Sequence, residues 1–221
     1  VAVRDQVEPG LDLRRLRRVL LSPAARRLPW VVHWHADIPW DSGRPALRLA
    51  YPLYRPWEQA LLRRAQAVIA TSEAYLHASR ALARWRDKAC VIPLSLAPSP
   101  APEPAANDAS SAATWPGGGL RLLAVGRLSH YKGYDVLLQA MTELPQVSLL
   151  LIGSGEEEAH LRTRVAALGL AGRVRLAGQV DDAELQRAYA AAEAFCLPSL
   201  DRAEAFGLVL LEAMRAALPV V

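Results

Sequence analysis

Residues 126–133 read Gly126-Arg127-Leu128-Ser129-His130-Tyr131-Lys132-Gly133 and set two cations five residues apart. Arginine presents a planar fork of donors and lysine a compact point charge, so the pair suits the oxygens of a diphosphate. A helix opening directly after this stretch adds backbone N–H groups and the positive end of its dipole. The same residues also suit a solvated surface loop. Neither G-x-x-x-x-G-K-[ST] nor a G-x-G-x-x-G opening a helix occurs, which excludes the standard P-loop and dinucleotide fingerprints.

A second set is Pro198-Ser199-Leu200-Asp201-Arg202-Ala203-Glu204-Ala205-Phe206-Gly207-Leu208-Val209-Leu210-Leu211-Glu212, with seven residues between Glu204 and Glu212. Glu204 is expected in a loop before a helix, and Glu212 about one and a half turns into it. Gly207 lets a ligand approach the first helical N–H groups closely. Glu212 is the one acid in an apolar run from Phe206 to Met214, and a buried carboxylate without a partner is costly. It therefore faces a polar ligand, pairs with a core arginine, or occupies a half-exposed helix position.

The elements around these residues alternate. After Leu120–Val125 as a strand come a helix over 134–144, a strand over 147–152 and a helix over 156–168. A strand over 173–177, a helix over 182–191, a strand over 194–197, a helix over 208–217 and a new strand at Pro219 complete the second half. The first half repeats the rhythm, with strands at 30–35, 67–71 and 89–93 and helices at 44–64 and 72–85. Repeated β-α units imply a parallel sheet covered on both faces, an α/β fold of two Rossmann-like domains. Ligands in such sheets sit at the carboxyl ends of the strands. Ala97–Gly119, APSPAPEPAANDASSAATWPGGG, has linker composition. The expected organisation is a first domain over 1–100, a linker over 101–119 and a second domain over 120–221. Three clear strands in the first half, and a second half ending as a strand begins, read as the middle of a longer protein, both domains being incomplete.

Of the 221 residues, 52% are hydrophobic and 22% charged, a globular and not a disordered balance. No apolar run approaches the roughly 18–20 residues of a membrane helix. Val1-Ala2-Val3-Arg4-Asp5 lacks Met and a signal-peptide core. Cys90 and Cys196 stand far apart, which excludes a disulfide scaffold and a four-thiolate zinc site. A cytoplasmic location is expected. Residues 1–100 hold 16 Lys and Arg against 8 Asp and Glu, and residues 101–221 hold 10 against 14. The basic half contains Leu13-Arg14-Arg15-Leu16-Arg17-Arg18-Val19-Leu20-Leu21, an amphipathic stretch. It predicts an electropositive patch over 13–27 that meets the anionic inner face of the plasma membrane, peripherally; a membrane- or nucleic-acid-binding module is the competing reading.

Taken together, GRLSHYKG, GQVDD at 178–182, EAFGLVLLE at 204–212 and AALPVV at 216–221 resemble the C-terminal domain of the retaining GT-B glycosyltransferases of family 4, the group 1 glycosyltransferases. VVHWHADI at 31–38, LYRPWEQALLRRAQAVIATSEAYLHAS at 53–79 and DKACVIPLS at 87–95 are similar to the latter part of that family's acceptor domain. The resemblance implies two domains facing across a cleft. It implies that Arg127 and Lys132, beside Gly126, hold the donor's diphosphate, that Glu204 contacts hydroxyls of the transferred sugar, and that Glu212 binds the ribose. It implies too that backbone at Val180 meets the base and that N–H groups near Phe206, Gly207 and Leu208 approach sugar and phosphate. By the same resemblance His35 is expected to reach the sugar and acceptor. The activity implied is hexose transfer from a nucleotide diphosphate sugar to a glycan or lipid-linked acceptor with retained configuration. No metal and no cofactor beyond the sugar nucleotide is expected, and no nucleic acid. Ala217 and Ser95 stand where the family usually has Gly. The family's N-terminal Gly-rich loop is not among these residues, so a catalytically inactive sugar-nucleotide-binding fragment is the alternative.

Other residues read as structural. His33 alternates with His35 on a strand and is expected to point the other way, into packing. His77 and His160 are expected in solvent on helices. Glu156-Glu157-Glu158 is expected to open a helix, where acids suit the dipole. Trp30, Trp34 and Trp57 are expected in the core, with Trp40 in the loop after His35.

Overall fold

The computed structural model describes residues 20–38, 45–97, 115–200, 204 and 206–221. The chain divides into two compact units, Val1–Ala97 with Asp201–Phe206 and Pro98–Leu200 with Gly207–Val221. Most of the expected linker, residues 13–19 of the basic stretch, and Trp40 lie outside the described residues.

In the first unit, β1 (Val31–Trp34), β2 (Ala67–Ala70) and β3 (Ala89–Val91) form a parallel sheet in the order β1-β2-β3. Val68 of the middle strand lies opposite Val32 and Ala89. Around it are α1 (Pro23–Arg26), α2 (Pro45–Arg64) and α3 (Glu73–Ala78). Val68, Ala70, Leu62 and Leu82 are fully buried, with Trp34 and Leu76 beside them. Pro52 and Pro56 sit inside α2. Each removes one backbone donor, but they stand four residues apart and both are exposed, so the loss falls on the face where water can compensate. The C-terminal carbonyls of α2 are satisfied by Lys88, whose Nζ donates to Leu62, Arg63 and Ala65 at 2.5, 3.1 and 2.7 Å.

Three local expectations change here. The helix expected over 72–85 closes at Ala78, because Ser79 turns extended (φ −67°, ψ 122°). Its hydroxyl donates to Asp37 and accepts from the Leu82 N–H, bonds that displace the next helical turn. β1 ends at Trp34, one residue before His35. His33 is exposed instead of packed, its ring centroid 4.2 Å from that of His35, since the chain leaves the pleat between them.

In the second unit, β4 (Leu120–Val125), β5 (Val147–Ile152), β6 (Val174–Gly178) and β7 (Ala194–Phe195) are parallel in the order β6-β5-β4-β7. The helices are α4 (Tyr134–Met141), α5 (Glu158–Ala167), α6 (Asp182–Ala191) and α7 (Leu208–Arg215). β5 is buried along its whole length, as its apolar sequence VSLLLI requires of a strand covered on both faces. One core contains Leu122, Ala124, Leu149, Leu151, Leu138 and Leu161. The other face packs Leu123, Leu150, Phe195, Leu185, Tyr189 and Ala213. This alternation of β4 and β5 residues between the two cores follows from the period of two along a strand. Asp181 caps α6 by accepting from the Glu184 N–H at 2.7 Å. Val220 forms only an isolated parallel bridge to Phe195 where the sequence suggests a new strand. α5 opens at Glu158, so Glu156 precedes it. Both units thus have the parallel α/β construction expected of Rossmann-like domains.

Candidate functional site

The strand order reverses at β4. The chain moves outward from β4 to β5 and β6, then returns to the other side of β4 with β7. Loops leaving β4 and β7 diverge at such a point, and the crevice they leave is where open parallel sheets bind ligands. The loop after β4 is Gly126–Gly133, which holds both sequence-predicted cations.

Backbone hydrogen bonds fix that loop. Gly126 N–H donates to Ile152 at 3.0 Å, and Gly153 N–H to Gly178 at 2.8 Å, so the ends of β4, β5 and β6 are stitched together. Leu128 N–H donates to Ser154 and Glu157 N–H to Leu128, each at 2.9 Å. Leu128 is buried, which anchors the loop and leaves the neighbouring Arg127 side chain exposed. Arg127 Nε lies 3.4 Å from Glu156 Oε2 at the start of the next loop. Ser129–Lys132 forms a tight turn that buries Lys132 to 7% exposure. A Cβ at Gly126 would stand 3.5 Å from Lys132 Nζ and 2.6 Å from the Tyr134 hydroxyl. Gly126 therefore leaves room for Lys132 to lie against the strand end. Gly133 has φ +71°, and a Cβ there would overlap the carbonyl oxygen of Pro198. Leu200 N–H donates to Tyr131 at 2.8 Å, completing a seam between the β4 loop and the segment after β7.

Gly207 is the buried N-cap of α7 at φ +70°. That left-handed conformation suits glycine, and a Cβ there would stand 3.0 Å from the Leu197 side chain. Leu208, the first residue of α7, is 41% exposed. The first N–H groups of a helix have no intrahelical acceptor and favour an anion. Glu212 is half-buried, and its Oε2 accepts from the Tyr189 hydroxyl at 2.9 Å. Glu212 is thus half-exposed with a tyrosine as its hydrogen-bond donor, and among the described residues no core arginine pairs with it. Val180, after β6, packs half-buried on the second core.

Gly126, Arg127, Lys132, Val180, Gly207, Leu208 and Glu212 thus belong to one unit. Glu204 and Phe206, both half-buried, group with the other unit, as does His35. His35 is exposed after β1, and its pKa is lowered first by partial burial and then by the neighbouring His33. Among the described residues, no group of three or more His, Cys, Asp or Glu could hold a metal ion, and no helix is long and apolar enough to cross a membrane.

Three contacts escaped sequence reasoning. Glu156 reads as a helix-opening acid, yet it faces Arg127 because β4 and β5 are neighbours and their outgoing loops must touch. Tyr189 draws no notice in the sequence, but a buried phenol needs a partner, and it finds Glu212. Asp37 accepts four hydrogen bonds that no spacing announces.

The model of the group 1 glycosyl transferases matches residues 107–221, and that of a glycosyl transferase 4-like domain matches residues 13–95. The chain is 30% identical over 215 residues to the O-antigen chain mannosyltransferase C of Escherichia coli, covering 96% of this chain and 53% of that one. It is 34% identical over 172 residues to the phosphatidyl-myo-inositol mannosyltransferase of Mycobacterium leprae, covering 76% and 42%. It spans about half the length of the curated relatives it matches, 53% and 46% for two of them. Among solved structures, Anabaena HepE in complex with UDP and glucose superposes with a TM-score of 0.69 at 24% identity, covering 94% of this chain and 56% of that one. The sucrose-phosphate synthase of Thermosynechococcus elongatus gives 0.69 at 29% identity, covering 87% and 49%. The fold is that of the GT-B enzymes. On the family match and the two parallel α/β units behind it, this chain belongs to the group 1 glycosyltransferases.

Proposed function

We propose that the chain carries the donor site, and part of the acceptor side, of an enzyme that moves a hexose from a nucleoside diphosphate sugar to a hydroxyl of a glycan or lipid-linked acceptor. Configuration is retained and no metal takes part. The observation that carries this reading is the pair Arg127 and Lys132 in a glycine-bounded loop at the strand-order reversal. The α7 N-terminus opens the helix that follows the other loop of that reversal. As the sugar leaves, negative charge grows on the diphosphate oxygen that held it. Fixed cations and helix N–H groups stabilise that charge, and one such preorganised donor is worth about 3–4 kcal/mol. These groups supply what a divalent cation would otherwise supply. Glu212, steadied by Tyr189, accepts the ribose hydroxyls, and the Val180 backbone meets the base. Glu204 and the N–H groups near Phe206 take the sugar, and His35 serves the sugar and acceptor. No covalent nucleophile is assigned: the acceptor oxygen bonds to the anomeric carbon on the face from which the diphosphate departs as the sugar–phosphate bond breaks, and the acceptor hydroxyl's proton passes to the departing diphosphate oxygen.

The mannosyltransferase names of the relatives and the UDP and glucose bound to HepE support the donor class. The basic balance of residues 1–100 supports peripheral attachment to an anionic membrane on the cytoplasmic side through residues 13–27. A surface arginine contributes about 1 kcal/mol there. Changing Arg14, Arg15, Arg17 and Arg18 to Glu should abolish binding to phosphatidylglycerol vesicles, and unchanged binding removes the patch from the account.

The test of function is incubation with UDP-, GDP- and ADP-hexoses and a panel of sugar and lipid acceptors, with and without EDTA. Product anomers are read by NMR. Transfer with retention in EDTA is expected. An inverted anomer, or activity lost on chelation and restored by Mg²⁺, contradicts the mechanism. A second reading, a donor-binding fragment without turnover, is favoured by the half-length match to relatives. Calorimetric binding of a nucleoside diphosphate without any transfer would decide for it.

A further inference from the structure

Asp37 lies two residues beyond His35, and the four donors around it define a clamp. Its Oδ1 accepts from the Trp34 indole N–H at 2.8 Å, the Tyr75 hydroxyl at 3.0 Å and the Ser79 hydroxyl at 2.7 Å. Its Oδ2 accepts from the Arg80 backbone N–H at 3.2 Å. A carboxylate is acceptor-only, and here three donors converge on Oδ1 and one meets Oδ2. Trp34 is the last residue of β1 and is buried, and Tyr75 and Ser79 are buried too. The bond from Trp34 to Asp37 closes a short loop whose intervening residues, His35 and Ala36, are exposed. The bonds to Tyr75, Ser79 and Arg80 tie that loop to α3 and to the turn after it. Ser79 is the residue at which α3 stops short of its expected end. The helix is broken where its side chain is used by the clamp.

We propose that Asp37 is a positioning residue: by holding both ends of the His35–Ala36 tip it fixes where the His35 imidazole stands during glycosyl transfer. The inference rests on the reading of His35 as a group that meets sugar and acceptor. Without the clamp, the tip would be a free loop at the end of an edge strand among the described strands. Its imidazole would spread over positions of which few are productive. Displacements of about 1 Å cost on the order of 100-fold in rate when a group must meet a reacting centre. The donor's nucleotide contacts, by contrast, lie in the other unit, so donor affinity should not follow Asp37.

The test is a double-mutant cycle of Asp37→Ala and His35→Ala, read as kcat and donor KM, with Asp37→Asn as the conservative variant. Expected is a fall in kcat of about 10- to 100-fold for Asp37→Ala, with donor KM within about threefold of wild type. Asp37→Asn keeps an oxygen for Trp34, Tyr75 and Ser79 and should recover most of the rate. In the His35→Ala background, Asp37→Ala should cost nothing further, because its effect travels through the missing ring. If Asp37→Ala lowers kcat by the same factor with or without His35, the positioning role is overturned while the role of His35 stands. If His35→Ala alone leaves kcat unchanged, the reading of His35 fails and this inference falls with it. Where Asp37→Ala does not fold, Tyr75→Phe and Ser79→Ala take its place in the same cycle. Each removes one donor, and a loss that persists without His35 again refutes the proposal.

Discussion

Gly133→Ala separates two costs that glycine avoids. At φ +71° an added Cβ incurs about 1–2 kcal/mol for the left-handed conformation alone. Here it also overlaps the Pro198 carbonyl oxygen and comes within 3.0 Å of the Leu200 side chain. A backbone oxygen cannot swing aside as a flexible side chain can, so the seam between the β4 loop and the β7 segment must open. Overpacking of this kind adds about 1–3 kcal/mol, for a total of about 2–5 kcal/mol. Gly169 is the control, because it has a closely similar φ of +67° and nothing within 4 Å of its would-be Cβ. Gly169→Ala should cost only the conformational part, about 1–2 kcal/mol. Both residues lie in the second unit, so urea unfolding followed by a probe of that unit, such as the single Trp115, compares them directly. Gly133→Ala should also weaken nucleoside diphosphate binding, and Gly169→Ala should leave it unchanged. Equal unfolding midpoints for the two variants, with equal binding, would refute the claim that the seam shapes the site.

Lys88→Ala should destabilise the first unit by about 2–3 kcal/mol in thermal or urea unfolding. It orphans three carbonyls at the end of α2 and removes a cation 4.5 Å from the Trp85 ring centroid. Lys88→Arg should recover only part, since a planar fork cannot converge on three carbonyls as an ammonium does. Glu58 is 1% exposed, with Oε2 unbonded and Oε1 shared by Tyr51 and Gln59. Burial pushes its pKa above the ordinary 4.5, and nearby Asp37 adds to the rise. The folded state therefore holds a proton there that the unfolded chain releases near pH 4.5, so this group's contribution falls as pH rises from 4.5 through the raised value. Glu58→Gln should flatten the pH dependence of unfolding in that window; an unchanged slope contradicts it. Glu156→Gln frees Arg127 from a half-exposed ion pair 3.4 Å long. Pairs of that kind are worth about 0.2–1 kcal/mol, so nucleoside diphosphate affinity measured by calorimetry should rise by roughly 1.4- to fivefold.

Regular elements of the second unit were legible because their signals are local. The bounds of β4, β5 and α6 are those that the apolar runs and the helical stretch predict. The helix after Ser72 was overrun because Ser79 ends it with a bond to Asp37, 42 residues away in sequence, which no window of neighbouring residues contains. β7 shrinks to two residues because its pairing depends on β4 and on the bridge from Val220. At the site, Arg127 and Lys132 were legible as cations bounded by glycine, and Gly207 as a helix opener. Glu156, which pairs with Arg127, and Tyr189, which donates to Glu212, were not, since these contacts come from strand adjacency and helix packing rather than from spacing.

The account's central claim is that Lys132 and Arg127 act on charge that appears only as the sugar–phosphate bond breaks, whereas Glu212 acts on ribose hydroxyls that do not change. The most direct test is kcat of Lys132→Ala at saturating sugar nucleotide, taken with its donor KM. An interaction made only in the transition state lowers kcat and leaves KM nearly untouched, whereas uniform binding does the reverse. The account predicts a kcat lower by about 100- to 1,000-fold with KM changed by less than about threefold, and Glu212→Ala showing the opposite pattern in the same assay. A Lys132→Ala enzyme with wild-type kcat would contradict it and assign the leaving group's stabilisation to other residues.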